Sequence, residues 1–203
     1  MPKVSAEHQQ RQIDRIRSAA IRCFASNGFH ATSMDAIIAE AGMSSSTVYS
    51  YFPGGKQEII LAVSAVHFVP VLSAVRQLVQ ADRLVGPEEA FRTIIVEGWL
   101  APDSDGDAAR PSRHARMTVN AWSEVARDLE MSRVYRERYL ILKGEFTKLV
   151  QRWKDAGVIG LDLTAPELAT LICDIIYGMV AEQIILGEVD YAVFFRLAKL
   201  LEA

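Results

Sequence analysis

A segment rich in hydroxyl side chains offers the clearest chemistry in this sequence. Ser44 is expected to cap a helix over Ser45–Phe52, because a serine oxygen accepts hydrogen bonds from the free amides of a helix start. Val48 and Phe52 lie on one side of this helix and predict its buried face. The other side carries small hydrogen-bonding groups that have little reason to be buried, and we expect them to bind a polar partner: Ser45, Ser46, Thr47 and Ser50.

A second short helix precedes this one and completes a helix-turn-helix. Thr32 and Asp35 have the spacing of a capping box, which predicts a helix over Ser33–Ala41. Gly42 can adopt the left-handed conformation that ends a helix, and Ser44 then begins the next one. Two short helices joined by a tight turn have the geometry that places the second helix in the major groove of DNA. The sequence therefore predicts a DNA-binding function.

The residues around this turn resemble the signature of TetR-type (tetracycline-repressor-like) transcriptional regulators. The matching sequence is GMSSSTVYSYF, residues 42–52, followed by Lys56 and an apolar helix start. The resemblance extends over about residues 9–69 and implies a three-helix DNA-binding domain there. One departure is that Lys56 follows Phe52 by four residues, whereas the family usually places this lysine after three.

The resemblance also implies which side chains contact DNA. The hydroxyl groups of the second helix match positions that approach base edges. Ser33, Tyr49, Tyr51 and Lys56 match positions that bind phosphates. We include Thr32 and Ser44 at the two helix starts among the candidate DNA-binding residues.

The charge of the chain is too small for non-specific binding to nucleic acid. The 203 residues carry a net charge of −3, and residues 1–60 hold six Lys and Arg against five Asp and Glu. Without a basic stripe, DNA binding is expected to depend on a specific surface that is doubled in a dimer. Arg11, Arg15 and Arg22 lie on one side of the first predicted helix, where they either contact phosphates or form a solvated charged face.

Apolar periodicity predicts that the whole chain is helical, with half of its residues hydrophobic. Pro70 lies within a long helix that begins near Gln57, and we expect it to kink or divide that helix. The predicted fold is all-α, with a helix-turn-helix domain over residues 9–69 and a ligand-binding and dimerisation domain over residues 70–203. The helices are predicted at 9–27, 33–41, 45–52, 57–81, 87–100, 113–127, 132–156, 166–186 and 190–202.

The last two predicted helices favour dimerisation. The helix over Pro166–Leu186 is apolar nearly all round, and such a helix needs partners on every side. In a chain of this length the simplest additional partner is a second copy, which predicts a two-fold four-helix interface. The residues expected in this interface are Ile176, Val180, Ile184, Phe194, Phe195 and Ala198.

Aromatic side chains in the C-terminal two-thirds predict a pocket for a small apolar or amphipathic effector. Tyr139, Phe146 and Trp153 recur on one face of a long predicted helix. Each aromatic residue taken singly is more consistent with core packing than with ligand contact, but indole and phenol groups need polar partners when buried. The candidate ligand-binding residues are Trp99, Met117, Trp122, Tyr139, Phe146, Trp153 and Tyr177, with His67 as a further candidate.

No cofactor, metal or catalytic site is predicted. Cys23 and Cys173 lie far apart without metal-ligand spacing, as expected for core cysteines in a reducing cytoplasm. The four histidines are scattered, and no motif typical of a nucleophile, a zinc site or a phosphate loop occurs. The N-terminus has no apolar signal core, and the most apolar segment, residues 168–186, is interrupted by polar groups, so no membrane span is expected.

These features predict a cytoplasmic, ligand-responsive regulator that binds a palindromic operator on double-stranded DNA as a homodimer. Repression is what the resemblance implies. Two alternatives remain: an all-α enzyme that uses the aromatic pocket, with Asp174 paired with His67 or Tyr177, and an adaptor whose helix of small residues binds protein instead of DNA. The sequence names neither the effector nor the operator.

Overall fold

The computed structural model describes residues 6–95 and 113–202, which form helices joined by short connections. In this part of the chain the only β-type pairing is an isolated bridge between Ile159 and Glu202, and the predicted all-α class is confirmed. The helices are α1 (Ala6–Ala31), α2 (Met34–Ala41), α3 (Ser45–Tyr51), α4 (Gly55–Gln80), α5 (Pro87–Thr93), α6 (Arg113–Val125), α7 (Leu129–Asp155), α8 (Ala165–Leu186) and α9 (Tyr191–Leu200).

The structure corrects the predicted cap of α2. Ser33 is the capping residue, and its Oγ accepts a hydrogen bond of 3.1 Å from the amide of Ala36. The hydroxyl of Thr32 donates instead to the carbonyl of Gly28 at 2.7 Å. Gly28 has a positive φ of 75° and interrupts α1, close to the end predicted for the first helix. Thr32 therefore closes the end of α1, and α2 begins one residue later than predicted.

The turn between α2 and α3 has the predicted geometry. Gly42 ends α2 with φ 60° and ψ 41°, a left-handed conformation that is easiest for glycine. Ser44 caps α3, and its Oγ accepts a hydrogen bond of 3.2 Å from the amide of Thr47. Val48 and Phe52 are buried as predicted. Local caps and one glycine thus fix the relative placement of the two helices.

The buried side chains form two clusters. The N-terminal cluster, which includes Phe24, Ile37 and Val48, gathers residues of α1 to α4 but also Met117 and Met131 from α6 and α7. Its members from α6 and α7 are more than fifty residues away along the chain from the helix-turn-helix. The C-terminal cluster gathers residues of α4, α5 and α7 to α9, including Val75, Phe91, Phe146, Trp153, Ile172 and Phe194.

α4 is the helix shared by the two clusters. It runs undivided over Gly55–Gln80, with Pro70 inside it. Ile59 and Val63 in its first half belong to the N-terminal cluster, whereas Val75 in its second half belongs to the C-terminal cluster. The predicted boundary between residues 69 and 70 thus lies within a continuous helix.

Two helices, α4 and α8, are long and apolar enough to meet a length-and-composition criterion for membrane spans. Core helices of soluble proteins meet the same criterion, so this is weak evidence for a membrane location. In their most apolar stretches, 44% and 39% of the residues are buried inside the protein. Both helices pack against α7.

Candidate DNA-binding surface and internal cavity

The exposed side of α3 carries the hydroxyl groups that the sequence singles out, and we call it the recognition surface. Ser45, Ser46 and Ser50 are exposed, and Thr47 is half-buried. Thr47 Oγ1 lies 2.6 Å from the Oγ of Ser44, and the hydroxyl of Ser50 donates to the carbonyl of Thr47 at 2.7 Å. Each hydroxyl keeps free acceptor capacity after these bonds. The surface therefore offers a compact set of small hydrogen-bonding groups to a polar partner.

The residues predicted to bind phosphates lie around this surface in different environments. Tyr49 is 43% exposed, and Ser33 is exposed at the start of α2. Tyr51 is half-buried and packs against the N-terminal cluster. Thr32 is only 1% exposed and donates to the carbonyls of Gly28 and Cys23. The side chain of Thr32 therefore has no surface with which to contact DNA, and this part of the prediction is corrected.

Lys56 has intramolecular partners that the sequence did not predict. Its Nζ lies 3.0 Å from the carbonyl oxygen of Phe29, 3.4 Å from that of His30 and 3.0 Å from that of Thr32. Three acceptors match the three N–H donors of an ammonium group. In this structure Lys56 therefore holds the end of α1 and the start of α2, a position different from the phosphate contact that the resemblance implies.

Arg15 has a similar structural role at the helix-turn-helix. Its Nε donates to the carbonyl of Ala41 at 2.7 Å and its Nη2 to the carbonyl of Gly42 at 3.2 Å. These carbonyls lie at the C-terminal end of α2, where a cation is favourable for the helix dipole. Arg22 is paired with Glu40 at 2.6 Å. Arg15 and Arg22 thus bind the end of α2, which sequence spacing did not reveal because their partners lie 18 or more residues away.

An internal cavity of about 100 Å³ lies between the end of α1 and helices α4, α6, α7 and α8. Four of the predicted ligand-binding residues line it: Met117, Trp122, Tyr139 and Tyr177. Trp122 and Tyr177 have ring centroids 5.7 Å apart, and Tyr139 stacks on Tyr177 at 5.9 Å with an interplanar angle of 27°. These three rings form an aromatic wall on one side of the cavity.

The other aromatic candidates do not lie on the cavity wall. Phe146 and Trp153 are fully buried in the C-terminal cluster, and the indole N–H of Trp153 donates to the carbonyl of Val85 at 2.7 Å. Both are core residues, which corrects their assignment to the pocket. Trp99 and the side chain of His67 lie outside the described residues.

Sequence reasoning missed the polar side of the cavity, formed by Ser64, Tyr135 and Arg138. The guanidinium of Arg138 donates to Ser64 Oγ at 2.5 Å and to the carbonyl of Leu61 at 3.2 Å, and it lies 5.7 Å from the ring centroid of Tyr135. A signal for these residues was present. Tyr135, Arg138, Tyr139 and Leu142 have the spacing of one helix face and extend the aromatic seam by one turn.

Burial raises the pKa of the phenol and thiol groups that line the cavity. Desolvation raises the pKa of the Tyr177 phenol to about 12 and that of the Cys173 thiol to about 11. Desolvation also raises the pKa of Tyr135 and Tyr139. Near neutral pH these groups are therefore hydrogen-bond donors without charge. Asp174, the acid in the enzyme alternative, is exposed and does not line the cavity.

The comparison with protein families identifies the N-terminal part of the chain. Residues 16–63 match the model of bacterial regulatory proteins of the tetR family. This range extends from α1 to the first half of α4 and contains the whole helix-turn-helix. These residues form a TetR-type helix-turn-helix domain. The predicted resemblance is thereby confirmed.

Curated relatives of this chain are named as transcriptional regulators. An uncharacterized HTH-type regulator of Bacillus subtilis, YxaF, is 34% identical over 84 residues, which are 40% of this chain and 42% of YxaF. The HTH-type regulator UidR of Escherichia coli K12 is 25% identical over 171 residues, 83% of this chain and 79% of UidR. The alignment with YxaF thus spans less than half the length of that protein. These names agree with a regulator rather than an enzyme.

Solved structures extend the similarity to the C-terminal helices. Salmonella enterica GusR superposes with a TM-score of 0.74 at 22% identity, with 98% of each chain covered. SmeT, the repressor of the Stenotrophomonas maltophilia multidrug efflux pump SmeDEF, superposes with a TM-score of 0.69 at 18% identity, covering 92% of this chain and 86% of SmeT. At this level of identity the similarity shows the fold alone, which includes the helices around the cavity.

Most of the residues that the sequence predicts for the dimer interface are buried inside one protomer. Ile176, Phe194, Phe195 and Ala198 belong to the C-terminal cluster, and Val180 has no exposed surface. Only Ile184 is half-buried. These buried side chains have little surface left for a partner, so the predicted set is corrected.

An exposed apolar strip lies on the other side of the same two helices. Leu171, Gly178 and Ile185 recur every seven residues on the exposed side of α8, where a Cβ on Gly178 would meet nothing within 4 Å. Val193, Leu197 and Leu200 form the corresponding exposed row on α9. Exposed rows of apolar side chains are a feature of interaction surfaces.

Proposed function

We propose that this TetR-family protein is a repressor that binds an inverted-repeat operator as a homodimer and releases it when a small apolar or amphipathic molecule enters the cavity. In this proposal residues 9–69 bind DNA, residues 70–203 bind the effector and dimerise, and the protein acts in the cytoplasm. The similarity in fold to SmeT, which is a repressor, supports this choice over activation.

The observation that carries the proposal is the position of the cavity between the two clusters. Phe29 and Met117 on its wall belong to the N-terminal cluster, whereas Val71, Leu142 and Ile176 belong to the C-terminal cluster. A molecule that enters the cavity must contact both sets of side chains. Because packed interiors transmit strain, its size and position affect both clusters.

Two polar contacts connect the cavity helices to the helix-turn-helix. Asn120 on α6 donates from Nδ2 to the carbonyl of Phe24 in α1 at 3.3 Å. Gln57 near the start of α4 donates to the carboxylate of Asp128, which caps α7, at 2.5 Å. A displacement of α6 or of the start of α7 would therefore move α1 and α4. In a dimer this changes the distance between the two recognition surfaces.

Release of DNA requires that the effector binds the two arrangements with different affinities. A coupling free energy of about 1–3 kcal/mol corresponds to roughly 5–150-fold weaker DNA binding. The same factor must apply in reverse, so operator DNA weakens effector binding equally. In the operator, the centres of the two half-sites are expected about 34 Å apart, one helical turn, or a multiple of that distance.

The decisive experiment combines DNA binding with ligand titration. The purified full-length protein is footprinted on the DNA upstream of its own gene, and candidate effectors are titrated into free and operator-bound protein. Trp122→Ala should change the effector response and leave effector-free operator affinity nearly intact, because Trp122 lies on the cavity wall. Leu140→Ala, on the exposed side of α7, is the matched control. An effector that binds free and operator-bound protein with one and the same constant would disprove the mechanism.

Dimerisation through the exposed apolar strip has its own test. Leu197→Asp places a charge in the proposed interface, where an unpaired buried charge costs about 3–5 kcal/mol. We expect a shift from dimer to monomer in analytical ultracentrifugation, with weaker operator binding. Leu129→Asp, at an exposed position of α7, should remain dimeric. If both variants sediment as dimers, the interface lies elsewhere on the chain.

A further inference from the structure

Among the described residues that line it, the cavity has one cationic side chain and no carboxylate. Arg138 is the single Lys or Arg among the described residues that line it, and none of these residues is Asp or Glu. The remaining wall is largely apolar and aromatic, with Val71 and Ile176 beside the rings of Trp122, Tyr139 and Tyr177. Arg138 is half-buried, so water solvates its positive charge only in part and an anion beside it is favourable.

The protein satisfies Arg138 only in part. A guanidinium group has five N–H donors, and two of them are used by Ser64 Oγ and the carbonyl of Leu61. In the described part of the chain no Asp or Glu forms an ion pair with Arg138. Glu137, which attracts it through space, is exposed to solvent. Three N–H groups and the full positive charge therefore remain for a partner.

The ionisable neighbours of Arg138 do not supply the missing negative charge. Burial raises the pKa of Tyr135, and it raises the pKa of Tyr177 to about 12 and that of Cys173 to about 11. At neutral pH all three are uncharged. Tyr135 contributes its ring face to the guanidinium, an attraction of a quadrupole rather than of a counter-ion.

We propose that the effector of this cavity is a small aromatic carboxylate, whose carboxylate binds Arg138 and whose ring packs against Tyr139 and Tyr177. This inference rests on the proposed function, since it specifies the chemical class of the molecule that the cavity takes. A carboxylate accepts two parallel N–H bonds from a guanidinium group, which gives both strength and orientation. Arg138 contacts α4 at Leu61 and Ser64, so an anion bound to it lies next to the helix that leads to the helix-turn-helix.

Charge and volume define this class further. One guanidinium matches one negative charge, whereas a phosphate ester carries about −1.5 to −2 near pH 7 and would be left incompletely neutralised. The cavity volume of about 100 Å³ is of the same order as the ~150 Å³ of an apolar cavity known to bind benzene, so a ligand with more than one ring is too large. A single ring with a short acid side chain is therefore the expected size.

The test measures binding of matched acids and amides by isothermal titration calorimetry. The probes are benzoate and phenylacetate, with benzamide and phenylacetamide as neutral analogues of the same shape. The wild-type protein should bind the acids about 10- to 100-fold more tightly than the amides, because hydrogen bonds to charged groups are the strong ones. Arg138→Gln should remove this preference and leave amide binding unchanged. Arg136→Gln, at an exposed position of α7, should retain it.

The charge-conserving variant Arg138→Lys covers the case in which Arg138→Gln fails to fold. It should keep a reduced preference for the acids, because a lysine keeps the charge but loses the planar fork. Equal binding of acids and amides by the wild type overturns the proposal. So does the absence of saturable acid binding up to millimolar concentration, or an acid preference that persists without a cation at residue 138.

Operator binding measured with the same probes separates this inference from the proposed function. Acids that bind through Arg138 and leave operator affinity unchanged would support the anion site and contradict effector-controlled release. Amides that release the operator as well as the acids would support release and overturn the carboxylate assignment.

Discussion

The recognition surface and the cavity are built in opposite ways. The recognition surface consists of residues within one short helix, and its caps, Ser44 and Gly42, lie within a few residues of it. The cavity is lined by residues between Phe29 and Tyr177, contributed by five helices. One site is a property of a local segment, whereas the other exists only where distant helices meet.

This difference also extends to the polar groups. Ser45, Ser46 and Ser50 of the recognition surface are exposed, so their hydroxyls can hydrogen-bond to water. In the cavity, burial raises the pKa of Tyr177. Arg138 donates to a hydroxyl and a carbonyl there, and it has no ion-pair partner in the described part of the chain. The recognition surface is therefore open to a large ligand. The cavity is a concave site, and a small ligand must match its shape and its polar groups.

The largest expected effect concerns the two clusters themselves. Phe24→Ala in the N-terminal cluster and Trp153→Ala in the C-terminal cluster should each lower the free energy of unfolding by about 3–5 kcal/mol. Because Met117 and Met131 join the N-terminal cluster from α6 and α7, both variants should shift one common transition in urea. Leu129→Ala, at an exposed position, should change stability by less than about 0.5 kcal/mol. Two separate transitions would show that the clusters are independent.

Lys56 tests whether the local site depends on a longer-range contact. Lys56→Met removes three hydrogen bonds to carbonyls and should lower the free energy of unfolding by roughly 1.5–3 kcal/mol. Arg11→Met, which affects only an exposed ion pair with Glu7, is the control. Should Lys56→Met keep wild-type stability but flatten the salt dependence of DNA binding, the lysine binds phosphate and its carbonyl contacts are incidental.

Thr47 tests the local character of the recognition surface. If Thr47 contacts a base, Thr47→Ala should cost about 1–3 kcal/mol of affinity for the operator and little for random DNA. Its global stability should stay close to wild type, since the side chain is half-buried and bonded within α3. Thr93→Ala in α5 is the hydroxyl control far from this helix. Equal losses of affinity for operator and random sequences would indicate that Thr47 contacts the DNA backbone instead of a base.

The smallest expected effect concerns the pH dependence of the cavity. Tyr177 has a pKa of about 12 in the folded protein against 10.0 for an unperturbed tyrosine, so the unfolded chain ionises first as the pH rises. The contribution of Tyr177 to the free energy of unfolding is fully present below pH 10 and is lost between about pH 10 and 12. Tyr177→Phe should reduce this alkaline loss of stability by about 1–2 kcal/mol, less than the full shift because Tyr177 is partly exposed. An unchanged alkaline unfolding curve would mean that solvent reaches the phenol.

The sequence by itself determined the features that depend on neighbouring residues. The predicted helix over Ser45–Phe52 agrees with α3 within one residue, and the side chains of Thr164 and Glu167 form a capping box at the start of α8. Caps, left-handed glycines and the period of apolar residues act within about four positions of the chain, so they can be read directly. The TetR-type helix-turn-helix could be predicted from the sequence for the same reason.

Only the tertiary structure decided whether each apolar helix face packs against another helix, lines a cavity or stays exposed. Periodicity placed Tyr139, Phe146 and Trp153 on one seam, but the packing of other helices leaves a cavity at Tyr139 and fills the space around the other two. The same holds for α8 and α9, where the stripe through Ile176 and Phe195 packs inward and a second apolar row stays exposed. A hydrophobic period shows that a face is covered, whereas the identity of its cover depends on residues far away in sequence.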